Sequence, residues 1–149
     1  MAAPTRRFLV LLAEDDDDDV LMVRDALGAA GINHDLRHVG NGEELLDYLN
    51  RREGYAGPGQ APTPDLVLLD LNMPGKDGRD SLREIRADSR LRRLPVVVLS
   101  TSSDSIDVDQ SYDLGANSYL VKPYDYASWV ALMGAVAHYW FDRAELPHL

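Results

Sequence analysis

Four stretches of this chain place polar or charged side chains directly behind apolar runs. Glu14 and Asp15 follow Phe8–Ala13, Asp70 follows Leu66–Leu69, Ser100 and Thr101 follow Val96–Leu99, and Lys122 follows Ser118–Val121. An acid at the end of a buried strand is costly unless an opposite charge waits for it. Crowded carboxylates repel one another and hold on to protons unless a cation sits among them. The set offers oxygen ligands with no His or Cys, which favours a hard ion, Mg²⁺ first. Lys122 and Ser100 would then meet the remaining oxygens of a phosphoryl group, one by charge and one by hydrogen bond. Lysine usage points the same way: of 15 basic residues only Lys76 and Lys122 are lysines, and one of them sits at a strand end where a compact ammonium suits phosphate.

These residues are far apart in sequence, so the fold must gather them. Five short apolar runs alternate with amphipathic segments. Strands are predicted at Phe8–Ala13, Asp35–Val39, Leu66–Leu69, Val96–Leu99 and Ser118–Val121. Helices are predicted from Asp17 to Ala30, from Asn41 with Glu44 as its capping-box partner, from Gly78 to Asp88, from Asp104 to Gly115, and from Asp125 towards Leu146. Strands that are apolar throughout are buried on both faces, which means a parallel sheet covered by helices. The expectation is one domain over residues 1–149, a doubly wound (βα)₅ with no output domain. In such sheets ligands bind beyond the carboxyl ends of the strands, where all the singled-out side chains lie.

Composition narrows the class. The 149 residues carry a net charge of −10, which repels nucleic-acid backbones and anionic membranes alike. No segment approaches a membrane span. The absence of cysteine excludes disulfides and thiolate metal sites and fits a cytoplasmic protein. The glycines and prolines between Gly54 and Pro64 read as an exposed insertion.

Glu14-Asp15, the run Leu-Asp70-Leu-Asn72-Met-Pro74-Gly-Lys-Asp-Gly78, Val-Val-Leu-Ser100 and Tyr119-Leu-Val-Lys122-Pro123 together resemble the motifs of two-component response-regulator receiver domains. The resemblance implies a flavodoxin-like sheet with strand order 2-1-3-4-5, and it implies roles. Asp70 is the phosphoacceptor, supplied by a histidine kinase. Asp15, Asp70 and the backbone carbonyl of Asn72 ligate Mg²⁺, with Glu14 contributing. Ser100 is the switch hydroxyl, Lys122 bridges to the phosphoryl oxygens, and Tyr119 takes the aromatic switch position. Thr101 stands where most receivers have a small residue, which could narrow access to the phosphoryl group. Pro123 fits a fixed turn, with a cis bond as one option. The insertion before strand 3, Ser100-Thr101-Ser102 and the aromatic C-terminus resemble single-domain regulators paired with phytochrome-type kinases.

Plainer readings stand beside these. Asp16 to Asp19 cap helix 1 and favour its positive end, with Asp19 a candidate neighbour of the site. The histidines lack ligand spacing, and Lys76 reads as a solvated loop residue. Helix 5 carries more apolar residues than one stripe needs, so Trp129, Leu132, Met133, Val136, Tyr139 and Trp140 are expected at a homodimer contact. The resemblance to the phytochrome-paired regulators implies that helix 4 and strand 5 share it. Two other functions compete with the signalling switch. A scaffold acting without phosphorylation would not need the intact acids and lysine. A Mg²⁺-dependent phosphohydrolase with an aspartyl nucleophile would want a general acid two residues after Asp70, where Asn72 cannot serve.

Overall fold

A computed structural model of the chain describes residues 6–149, so the first five residues of the expected domain lie outside it. The strands are β1 (Phe8–Ala13), β2 (His34–Val39), β3 (Leu66–Asp70), β4 (Val96–Ser100) and β5 (Ser118–Val121). They pair in parallel, as the alternation implied, in the order β2-β1-β3-β4-β5 that the resemblance implied. The helices between them are α1 (Asp17–Ala29), α2 (Gly42–Asn50), α3 (Gly78–Ala87), α4 (Ser105–Asp113) and α5 (Tyr126–Ala137). β3 and β4 each run one residue further than the apolar pattern does, so Asp70 and Ser100 are the last residues of their strands. Their side chains are therefore held by the sheet ladder rather than by a loop.

Alternate strand residues feed two cores. Leu11, Ala13, Val67, Leu69, Val96 and Val98 face α2 and α3, against Leu45, Leu82 and Ile85. Val10, Leu12, Leu66, Leu68, Val97 and Leu99 face α1 and α5, against Val23, Leu27, Trp129 and Met133. Each α-helix opens on an Asp or Asn whose side chain accepts a backbone N–H of the first turn: Asp16, Asn41, Asp77, Asp104 and Asp125. Such caps contribute about 1 kcal/mol each. The box at α2 is shifted: Asn41 accepts from Glu44 N, while the Glu44 carboxylate accepts from Gly40 N at 2.9 Å.

Two expectations need correction. The 54–64 insertion is pinned, not merely exposed. Tyr55 Oη donates to Glu44 at 2.6 Å, Tyr48 Oη donates to the Pro62 carbonyl at 2.8 Å, and Ala61 is buried. Helix 5 does not run on to Leu146. After Ala137 the chain winds a π-helical segment, His138–Arg143, and leaves it extended at Ala144. The wider turn rotates the apolar stripe, so Phe141 rather than Trp140 reaches the core and stacks on Phe8 at 4.5 Å. All described peptide bonds are trans, that before Pro123 included.

Candidate functional site

The carboxyl edge of the sheet gathers the side chains that the sequence singled out. Glu14 follows β1, its N–H donating to the Val39 carbonyl at 3.0 Å, and it is only 2% exposed. Glu14, Asp15 and Asp70 each offer an oxygen within 4.8 Å of the others. Lys122 follows β5, its N–H donating to the Ser100 carbonyl at 2.8 Å. Its Nζ lies 2.5 Å from Glu14, 2.8 Å from Asp19 and 3.7 Å from Asp70. Asn72 N donates to Asp70 Oδ1 at 3.3 Å, which sets the loop after β3 around the acceptor carboxylate. Gly78 is required here, because a Cβ would meet the Asp70 carbonyl oxygen at 2.3 Å.

Charge is unbalanced in this pocket. Burial, followed by the hydrogen bond with Asp70, pushes Glu14 up to about 8 although Lys122 pulls the other way. Burial also raises Asp70 above its ordinary value, although Lys122 and Asn72 pull the other way. Lys122 is raised despite its burial, because Asp19, Glu14 and Asp70 surround the ammonium. One lysine does not neutralise Glu14, Asp15, Asp19 and Asp70, and a divalent cation would relieve the excess negative charge. The oxygen-only donor set fits a hard divalent ion.

The switch hydroxyl and its surroundings sit on the β4–α4 side. Ser100 is buried and its Oγ accepts from Ser102 N at 3.1 Å. Tyr119 is half-buried and its Oη donates to the Ser102 carbonyl at 2.8 Å. Thr101 is exposed at the rim of a cavity shared with Asp19, Lys122 and Tyr124. Sequence reasoning missed Ser102, whose Oγ donates to Asp107 at 2.6 Å, and Arg79, which donates to Asp107 at 3.2 Å and to Gln110 at 3.1 Å. The Ser100-Thr101-Ser102 run was the available signal, but nothing in it named the partner on α4. It also missed His38, whose Nε2 lies 2.7 Å from the Glu14 carbonyl. Lys76 is not free in solvent; it turns to pair with Glu84.

The expected contact set on helix 5 splits. Trp129 at 2% exposure, Met133 and Val136 belong to the core against α1 and the sheet, so they are not available to a partner. The surplus apolar residues of that helix serve a broad core stripe. Leu132, Tyr139 and Trp140 remain accessible in part and line a shallow groove with Leu120.

Residues 10–133 match the response regulator receiver domain family. The chain belongs to that family. It is 36% identical over 138 residues to the response regulator Rcp1 of Synechocystis sp., spanning 93% of this chain and 92% of that one. The phosphorylated cyanobacterial phytochrome response regulator RcpA superposes with a TM-score of 0.89 at 38% identity, over 96% of this chain and 100% of that one. Response regulator RPA3017, of red light signaling in R. palustris, superposes at 0.90 with 43% identity, over 95% and 99%. The Mn²⁺-bound form of Rcp1 superposes at 0.86 with 35% identity, over 95% and 99%. This receiver is thus a two-component signalling protein with an acidic pocket of divalent-cation type. Among its described residues no helix is long and apolar enough to cross a membrane.

Proposed function

We propose that this receiver takes a phosphoryl group on Asp70 from a phytochrome-type sensor histidine kinase, with Mg²⁺ as its working cation. The observation that carries the reading is the convergence of Asp70, Glu14, Asp15 and Lys122 at one end of the sheet. Asp70 Oδ would attack the phosphorus of a phosphohistidine; the P–N bond breaks and its electron pair leaves with the imidazole. Glu14, Asp15, Asp70 and the Asn72 carbonyl would hold the Mg²⁺, which supplies charge neutralisation at the phosphoryl oxygens. Lys122 covers a further oxygen, and Ser100 turns its hydroxyl from Ser102 N towards the group. Losing that acceptor frees the Ser102 loop, and Tyr119 and α4 follow, shifting an equilibrium between two arrangements.

The kinase class rests on likeness: Rcp1, RcpA and RPA3017 match nearly end to end, and RcpA is a phytochrome response regulator and RPA3017 a regulator in red light signaling. The same reading makes this chain a single receiver unit of the cytoplasm, a phosphoacceptor rather than an enzyme. The same reading includes a homodimer through α4, β5 and the open part of α5. Ile106, Tyr112, Val121 and Tyr124 are exposed there beside Leu132, Tyr139 and Trp140.

Incubation with Mg²⁺ and acetyl phosphate, followed by intact mass measurement, tests the reading. One labile phosphoryl adduct, absent in Asp70→Asn, is the expected result. Turnover on general phosphate esters would make the protein a hydrolase instead. No adduct with any donor would leave a scaffold.

A further inference from the structure

Lys122 is claimed by more carboxylates than its role in phosphoryl binding needs. Its two short contacts go to Glu14 and Asp19, and the long one goes to the acceptor Asp70. Asp19 is not one of the acids whose oxygens cluster for a cation. It stands in the first turn of α1, which Asp16 fixes by accepting Asp18 N and Asp19 N at 2.9 and 3.1 Å. Its side chain is 28% exposed, against 2% for Glu14, so it holds the ammonium from the solvent side.

We infer that Asp19 is a positioning residue for Lys122: it takes one side of the ammonium, so that of the acids a divalent cation needs only Glu14 is touched at short range while Asp70 stays 3.7 Å away. This rests on the reading that Glu14, Asp15 and Asp70 bind that cation. Without Asp19, Lys122 keeps only Glu14 and Asp70 as partners, and both belong to the cation's own set. The ammonium then turns inward, and a positive charge among those oxygens repels a divalent ion. With Asp19 present, the ammonium is shared between Glu14 and Asp19, which would leave Asp15 and Asp70 open to a metal. The lysine stays close enough to Asp70 to meet a phosphoryl group when one arrives.

Removing Asp19 also deletes a negative charge near the metal, so a single variant does not separate the two effects. A double-mutant cycle does. Mg²⁺ and, separately, Mn²⁺ are titrated by calorimetry into the intact chain, Asp19→Ala, Lys122→Met and the double variant, with thermal melts to establish folding. Asp19→Asn, of the same size, replaces any Asp19→Ala protein that does not fold. The expected result is about a fivefold or larger loss of affinity from Asp19→Ala when Lys122 is present, and less than about twofold when it is methionine. An equal loss in both backgrounds would assign Asp19 a direct charge effect and overturn the inference. So would no loss in either. Failure of the unaltered chain to bind either metal would overturn the cation site itself, a distinct outcome.

Discussion

The two sides of this sheet are built differently. β1, β3 and β4 are buried almost throughout, and α1 and α3 lock onto them with Val20, Val23, Leu27, Leu82 and Ile85. β5 is half-exposed along its length, and α4 buries only Ser111. What holds α4 is polar: Ser102 and Arg79 on Asp107, Arg79 on Gln110, and Tyr119 N on the Tyr112 hydroxyl at 3.2 Å. A buried apolar side chain contributes about 1.5–3 kcal/mol and a typical hydrogen bond about 1. The chemistry therefore sits on the stable side, where acids must be held close against their repulsion. The readout sits on the side that rearranges at small cost.

Substitutions can break that comparison, the largest expected effect first. Leu82→Ala empties a fully buried site and is expected to lose about 2–5 kcal/mol in chemical denaturation. Next is pH. Glu14 binds its proton more tightly folded than unfolded, so stability falls as pH rises from the ordinary 4.5 towards about 8. Asp70 is raised and acts in the same direction, while Asp107 and Asp125 are lowered and matter only below the normal carboxylate range. The metal-free melting temperature should drop across that window, and Glu14→Gln should flatten the drop. Arg79→Ala removes the cation that spans α3 and α4 and is expected to cost about 1 kcal/mol. Hydrogen exchange should quicken in α4 and stay unchanged in β1. Smallest is Ile106→Ala on the exposed face of α4, expected within about 0.5 kcal/mol. A loss as large as that of Leu82→Ala would mean the two sides are equally packed.

The same difference explains what could be read from the sequence. Asp70, Ser100 and Lys122 stood out because each is a polar residue after an apolar run, and a buried parallel strand leaves no other reason for it there. The parallel sheet followed from the alternation of strands and helices, and its strand order from the family resemblance. Arg79 and Asp107 gave no signal, since polar side chains on exposed helices carry no periodicity, and the Ser100-Thr101-Ser102 run did not name its partner on α4. Trp129, Met133 and Val136 were read as a partner surface because a straight helix needs one narrow stripe. The π segment at His138–Arg143 widens the turn, and a change of helical pitch is not written in apolar spacing. Asp19 was legible as a neighbour of the site, but its partner Lys122 lies 103 positions away, so the fold is needed to name it.

The most direct test of the account is amide hydrogen exchange with and without acetyl phosphate and Mg²⁺, on the unaltered chain and on Asp70→Asn. Phosphorylation should change exchange in the β4–α4 loop, α4 and β5, leave α2 and α3 as they were, and do neither in Asp70→Asn. Changes spread evenly over both sides of the sheet, or the same changes in Asp70→Asn, would contradict it.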